Sequence, residues 1–250
     1  MPALPLLHPH NRLGHIEGLE GVRMLERKLE VLANNVANAD TPGFKKERLT
    51  FEEYFLDQLD ATKRTAKGEL EATDFSQGAY KQTNNPFDLA IDGEGFFVVE
   101  TPFGKAYTRA GHFTLNAQNE LVTPEGYKVL GSGGPLTLED TTGKGVWVNR
   151  DGHFYVDETE VGALDLVAFD NPEALKKIGQ NLFVSEGTAA KERPAQGKVA
   201  QGFIEDSNVN PVESMVVLLD LYRAYEAMQR AMQACDELDD KAINQVGKVG

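Results

Sequence analysis

The 250-residue sequence contains little that could cross-link a fold covalently or anchor it in a bilayer. Its single cysteine, Cys235, excludes an internal disulfide framework. No apolar run approaches the roughly 20 residues that a membrane-spanning helix needs. Met1 to Arg12 also lacks the basic stretch and long apolar run of a cleaved secretion signal. We therefore expect a protein without disulfides or membrane spans, which either stays in the cytoplasm or is exported by a route that reads another signal.

Basic residues are also scarce, because 25 lysines and arginines are set against 39 aspartates and glutamates, for a net charge of −14. Binding to nucleic acid or to an anionic membrane surface relies on basic patches. The strongest basic cluster, Lys45, Lys46 and Arg48, is too small to reverse this balance. We expect no nucleic-acid partner, and we interpret most of the acidic residues as solvated surface.

No group of residues has the spacing of a catalytic or ligand-binding site. Gly93-Glu94-Gly95 lacks the third glycine and the following helix of a phosphate-binding loop. Arg109 and His112 flank Gly111, but the spacing fixes no nucleophile or carboxylate beside them. The early histidines fall in or beside a proline-broken tail, which gives a metal ion no fixed ligand geometry. We expect no enzyme activity, no cofactor, no metal ion and no small-molecule substrate.

Both ends of the sequence are predicted to be long helices. Apolar residues recur there at alternating steps of three and four residues, which is the spacing of a coiled-coil seam. These seam residues are Val22, Leu25, Leu29, Leu32 and Val36 near the start, and Leu218, Leu221, Tyr225, Met228 and Met232 near the end. The helices are predicted over about Leu13 to Ala37 and, with Asn210 as cap, from Pro211 to about Val246. Because so narrow a stripe is not buried by its own helix, we expect the two ends to pair with each other or with neighbouring copies.

The first half of the second predicted helix is apolar over more than one stripe. Leu219 and Tyr222 accompany the seam residues Leu218 and Leu221 there. We therefore expect this half to be the more deeply buried one.

The middle of the sequence is predicted to be mainly antiparallel sheet. From about Leu89 onward, short apolar runs alternate with turn formers such as Pro102-Phe103-Gly104 and Pro124-Glu125-Gly126. The longest strand candidate extends from Val161 to Phe169. After it, Asn171 and Pro172 predict the start of a short helix.

The predicted fold class is α+β, with the paired helices as an inner domain and an irregular sheet as an outer domain. Between them, the segment from Thr50 to Leu59 is interpreted as a short amphipathic helix in an otherwise extended connector. The predicted parts are a disordered tail (1–12), a helical inner domain (13–38 with 207–246), a connector (39–77) and a β-rich outer domain (78–206).

Several separated motifs then occur in a fixed order. They are Asn34 to Lys45, Phe87 to Phe97, Tyr107 to Leu115, Gly202 to Glu213, and Arg223 to Ala227. Together they resemble the signatures of the bacterial flagellar rod and hook proteins, and ordered motifs are far more specific than any single one. The motif residues are Asn34, Asn35, Ala37, Asn38, Thr41, Gly43, Phe44, Asp92, Gly93, Gly95, Phe96, Arg109, Gly111, Phe113, Asn208, Asn210, Pro211, Tyr225 and Glu226.

The resemblance implies a structural protein whose copies stack helically, with the terminal helices packed around a central export channel. It also implies export through the flagellar type III apparatus, without a cleaved signal. Within the family, the length and the ending Lys241 to Val246 look most like the proximal rod subunit. That subunit lies in the periplasm and passes torque from the motor to the distal rod. The expected partners are therefore copies of this chain, other rod subunits and the export apparatus, with the seam residues as the assembly interface.

Other functions remain open at this stage. A distal rod or hook subunit would share the helical ends and differ in the connector and outer domains. An enzyme that acts on peptidoglycan would need a carboxylate of raised pKa in a cleft. A coiled-coil adaptor that never polymerises would share the seam but would form no filament.

Overall fold

The computed structural model of the chain describes residues 9–55, 65–138, 145–185 and 190–246. Contacts divide the chain into two units, of which one comprises Met1–Val36 with Asn210–Gly250 and the other comprises Ala37–Val209. We call the first the helical unit and the second the β unit.

The helical unit contains α1 (Pro9–Ala37) and α2 (Pro211–Val246). The extent of α2 confirms the prediction, and the backbone N–H of Glu213 donates to Asn210 Oδ1 over 3.3 Å, which caps the helix. Helix α1 begins at Pro9, earlier than predicted, because proline suits the first helical position. Residues 9–12 are thus helical and not part of a disordered tail, whereas residues 1–8 lie outside the described residues. Neither of these helices is long and apolar enough to cross a membrane.

The described part of the β unit consists of short strands with antiparallel pairings, which confirms an α+β fold with mainly antiparallel strands. The strands are β1 (Glu47–Phe55), β2 (Thr65–Thr73), β3 (Tyr80–Gln82), β4 (Leu89–Asp92), β5 (Phe96–Thr101), β6 (Gly104–Thr108), β7 (Thr114–Leu115), β8 (Leu121–Val122), β9 (Lys128–Gly131), β10 (Gly134–Pro135), β11 (Val146–Val148), β12 (His153–Val156), β13 (Thr159–Ala163), β14 (Leu166–Phe169), β15 (Leu175–Gly179), β16 (Leu182–Ser185), β17 (Glu192–Pro194), β18 (Lys198–Gln201) and β19 (Phe203–Glu205).

The largest sheet has the strand order β15-β16-β6-β5-β9-β8-β7 and carries β10, β14 and β17 beside this path. Strand β5 is buried on both faces, because successive side chains of a strand point to opposite sides. Phe97 therefore packs edge-to-face on Phe113 in one core cluster, with the ring centroids 5.1 Å apart. Phe96 joins Phe169 and Phe183 in a second cluster.

Two predicted helical segments of the β unit are wrong. The segment from Thr50 is strand as far as Phe55 and pairs along its whole described length with β2, so aromatic and β-branched residues prevailed over the helical spacing. Residues 56–64, which include the end of that segment, lie outside the described residues. After Asn171, a single 3₁₀ turn (Pro172–Ala174) replaces the predicted helix, and the chain then enters β15.

The longest predicted strand is also interrupted. Strand β13 ends at Ala163 and β14 begins at Leu166. Between them, Leu164 forms an isolated bridge with Gly131, so the chain passes from the three-stranded sheet β11-β12-β13 to the large sheet.

Candidate functional site

The predicted seam residues share one environment in the helical unit. All ten of them, from Val22 to Val36 and from Leu218 to Met232, are half-buried in the single chain. Within this unit, the Tyr225 hydroxyl donates to Glu26 Oε1 over 3.0 Å. A Cβ added at Gly21 would lie 2.8 Å from Met228 Cε, so α1 also approaches α2 closely at this glycine. The seam side chains therefore leave apolar surface uncovered in one copy of the chain.

The first half of α2 exposes a second apolar stripe. Its members recur at helical spacing and are each 51% exposed or more; they are Val212, Met215, Val216, Leu219 and Tyr222. The expectation that this half is the more deeply buried one is wrong for the single chain, because nothing in the described residues covers this face.

The motif residues of the β unit gather around a buried ionic cluster, which we call the motif node. Glu205 lies at its centre and is 1% exposed. Lys45 Nζ donates to Glu205 Oε1 over 2.5 Å, and Arg109 donates to Glu205 Oε2 over 3.3 Å. Burial lowers the pKa of Lys45 against the opposing effect of Glu205, and burial likewise lowers the pKa of Arg109. The node thus holds two desolvated cations on one carboxylate.

Backbone groups complete the coordination of the node. Lys45 Nζ also donates to the carbonyl of Ser76 over 2.7 Å, and the N–H of Gly78 donates to Glu205 Oε1 over 2.9 Å. Arg109 donates to the carbonyl of Gly93 over 2.7 Å. Among the described residues, Arg109 Nε is the one buried side-chain polar atom of the node without a hydrogen-bond partner. The other contacts make the node a positioning device that joins five segments separated in sequence.

Asn208 ties the two ends of the β unit together. Its side-chain oxygen accepts from the N–H of Lys46 over 2.8 Å, and its amide donates to the carbonyls of Asp74 and Ser76. The segment that follows α1 in sequence is thereby hydrogen-bonded to the segment that precedes α2. These hydrogen bonds explain why the motif has asparagine at position 208 better than the start of a helix would.

Two motif glycines allow backbone segments to approach one another at the node. Gly43 has φ of +68°, and a Cβ there would lie 2.3 Å from the backbone nitrogen of Ala110. At Gly111 a Cβ would lie 1.6 Å from the carbonyl oxygen of Leu89, which is a severe steric clash. A side chain at either position would push apart backbone segments that carry the node.

We expect Gly111→Ala to destabilise the β unit strongly, because the added methyl group cannot fit without moving the Leu89 backbone. The matched control is Gly133→Ala, where an added Cβ meets nothing within 4 Å. Urea unfolding followed by tryptophan fluorescence should show a loss of several kcal/mol, on the order of 3 or more, for Gly111→Ala alone. Equal midpoints for the two variants would contradict the close approach.

Tyr107, in the same motif as Gly111, should make the free energy of unfolding decrease at alkaline pH. Burial and its hydrogen bond to the Glu192 carboxylate raise the pKa of Tyr107, whereas an unfolded tyrosine ionises near pH 10. Above about pH 10 the unfolded state binds fewer protons than the folded state, so the free energy of unfolding decreases as pH rises. Tyr107→Phe should flatten this decrease in urea titrations above pH 10, and an unchanged slope would contradict the assignment.

Three further motif residues make contacts within the β unit. Thr41 closes the turn after α1 by donating its N–H to the carbonyl of Asn38 over 3.1 Å. Phe44 is buried and lies beneath Lys177 Nζ, 4.0 Å from its ring centroid. Asp92 accepts from the hydroxyl of Tyr80 over 3.1 Å. The sequence does not single out Glu205 as a functional residue, because its only distinguishing feature there is a charge at the end of a short apolar strand.

Comparison with known proteins agrees with this arrangement. The family model described as "Flagella basal body rod protein" matches residues 20–45. "Flagellar hook protein FlgE/F/G D1 domain" matches residues 90–156, and "Flagellar basal body rod FlgEFG protein C-terminal" matches residues 200–245. The three matched regions contain the seams of both helices and all sides of the motif node except the Ser76–Gly78 segment.

Relatives match over nearly the whole chain. The flagellar basal-body rod protein FlgF of Caulobacter vibrioides is 36% identical over 93% of this chain and 97% of its own length. FlgF of Mesorhizobium japonicum is 35% identical over 89% of this chain and 93% of its own length. FlgG of Bacillus subtilis is 31% identical over 91% of this chain and 96% of its own length. The chain belongs to the flagellar basal-body rod protein family, which is a family of structural rod subunits and not of enzymes.

Proposed function

We propose that this chain is a subunit of the proximal rod and assembles through its two terminal helices. The observation that carries the proposal is the half-buried seam of α1 and α2 together with the exposed stripe on α2. Coiled-coil pairing within the helical unit covers part of the seam, and helices of neighbouring subunits cover the rest. The helical unit then forms the inner domain around an export channel, and the β unit forms the outer domain.

The energetics of such an assembly are favourable. Burying one Leu or Met side chain contributes about 1.5–3 kcal/mol. Several such side chains per helix, repeated at every subunit contact, resist twisting without any single strong bond. This is what a rod needs if it passes torque from the motor to the distal rod.

The proximal position is supported by the length of the chain, by its ending Lys241 to Val246 and by its single modest β unit. The second candidate is the distal rod, because the similarity to basal-body rod proteins named FlgF and FlgG fits either position. In either position the subunit reaches the periplasm through the flagellar type III export apparatus, without a cleaved signal peptide. Copies of this chain and other rod subunits are its partners.

Electron microscopy of basal bodies from a deletion strain and its complemented parent tests the proposal. We expect the deletion to leave a basal body that stops before the distal rod and hook, and complementation to restore both. A completed rod that lacks only the hook would move the subunit outward. Intact and functioning flagella in the deletion strain would overturn the proposed function.

A further inference from the structure

Phe103 is the most exposed large apolar side chain among the described residues, at 94%. It lies in the turn between β5 and β6, after Pro102 and before Gly104. The turn is held by the buried Thr101, whose hydroxyl donates to the carbonyl of Gly104 over 2.8 Å and accepts from the N–H of Phe103 over 3.2 Å. The backbone that carries the ring is therefore ordered in advance, which lowers the entropic cost of inserting the ring into a partner.

A pocket lies at the other end of the same hairpin. Its volume is about 110 Å³, and its apolar walls are Pro42, Ala110, Pro124 and Leu182. This volume is smaller than the roughly 150 Å³ of a closed cavity that accommodates benzene, so the pocket can take the edge of an aromatic ring without enclosing the ring. Pro42 and Ala110 belong to the motif segments, but the motif node accounts only for the buried side of those segments.

The hairpin places ring and pocket at opposite ends of one rigid strand pair. From Phe103 to Thr108, which lines the pocket, the chain advances roughly 16 Å along β6. A contact between two different surfaces of identical subunits is heterologous, and when it does not close into a ring it builds a helical filament. Charge is also complementary, because Lys105, two residues after Phe103, is exposed, and Glu125 is exposed at the pocket rim.

We propose that Phe103 of one copy inserts into the Pro42–Ala110–Pro124–Leu182 pocket of the next copy, head to tail along the rod. The inference rests on the rod function proposed above and adds a second contact, made by the β unit, to the contact of the helices. Buried aromatic anchors of this kind commonly dominate an interface.

Cysteine pairing in assembled rods tests this contact. The full-length chain would carry Cys235→Ser, which removes its exposed native thiol, together with Phe103→Cys and Glu125→Cys. A disulfide requires Cα atoms about 4.4–6.8 Å apart, so only the proposed docking brings these positions into range between copies. After mild oxidation of purified basal bodies we expect a ladder of covalent oligomers of this chain. Each single cysteine variant should remain monomeric, as should Trp147→Cys combined with Glu125→Cys, in which Trp147 is also exposed, at 45%, but lies on the separate β11-β12-β13 sheet.

The other outcomes are distinct. Dimers from Phe103→Cys alone would mean a symmetric contact and would overturn the proposal, and a disulfide to another polypeptide would overturn the identity of the occupant. Rods that contain the chain but give no ladder would refute the contact while the rod function stands. Absence of the chain from basal bodies would instead refute the rod function.

A second measurement distinguishes loss of the contact between copies from loss of folding. Phe103→Ser should leave thermal unfolding of the monomer unchanged, because the ring is 94% exposed. Its incorporation into rods, in competition with the native chain, should fall at least tenfold. Incorporation equal to that of the native chain would overturn the proposal.

Discussion

Leu29→Asp combined with Leu221→Asp is expected to abolish rod assembly and swimming while the β unit stays folded. Both leucines lie in the half-buried seam, one on each helix. Each substitution forfeits about 1.5–3 kcal/mol of burial at every contact and adds the cost of desolvating a carboxylate. The β unit is a separate unit with its own core, so it should keep its cooperative unfolding.

The matched control is Leu29→Met with Leu221→Met, which keeps apolar volume and should cost less than about 1.5 kcal/mol at each site. Soft-agar motility, electron microscopy of basal bodies and urea unfolding of the purified chain would be measured for both variants. Normal swimming of the aspartate variant would refute assembly through the seam. Unfolding of the β unit in that variant would show that the two units are energetically coupled.

The second large effect is expected at the motif node. Glu205→Gln removes the one carboxylate that Lys45 and Arg109 share and leaves two buried cations without a counter-charge. Breaking a buried ion pair from one side typically costs 3–5 kcal/mol. The free energy of unfolding of the full chain in urea should fall by about this amount, whereas Glu100→Gln, at the one exposed position of β5, should change it by less than about 0.5 kcal/mol.

The pairing itself is tested by a double-mutant cycle. Lys45→Met alone should destabilise the chain, because Glu205 then faces Arg109 only. When Lys45→Met is combined with Glu205→Gln, the total loss should be smaller than the sum of the two single losses. Strict additivity would mean that Lys45 and Glu205 do not act as a pair.

Local pattern predicted much of this fold. The three-and-four spacing identified both helices, and Asn210 with Pro211 placed the start of α2 correctly because capping is decided within one turn. Turn formers separated most strands of the β unit for the same reason. Where two local preferences competed, as from Thr50 to Phe55, pairing with β2 decided the outcome, and the helical spacing alone was misleading.

The motif node could not be predicted from local pattern. Lys45 and Glu205 are separated by 160 positions in sequence, and only the paths of the intervening strands bring them within 2.5 Å. In the sequence Lys45 stands out only as a member of a small basic cluster, yet in the structure it is 1% exposed. Likewise, Leu219 and Tyr222 are exposed although their hydrophobicity predicts burial, since exposed apolar residues resemble core residues in sequence.

Amide hydrogen exchange of the same full-length chain, free in solution and within purified rods, tests whether the terminal helices pack only on assembly. We expect fast exchange along α1 and α2 in the free chain, because helices with a half-buried seam lack part of their packing. Both helices should become strongly protected in rods, while the β5 and β6 amides are protected in both states. Strong protection along both helices in the free monomer would contradict the claim that these helices complete their packing only in the assembled rod.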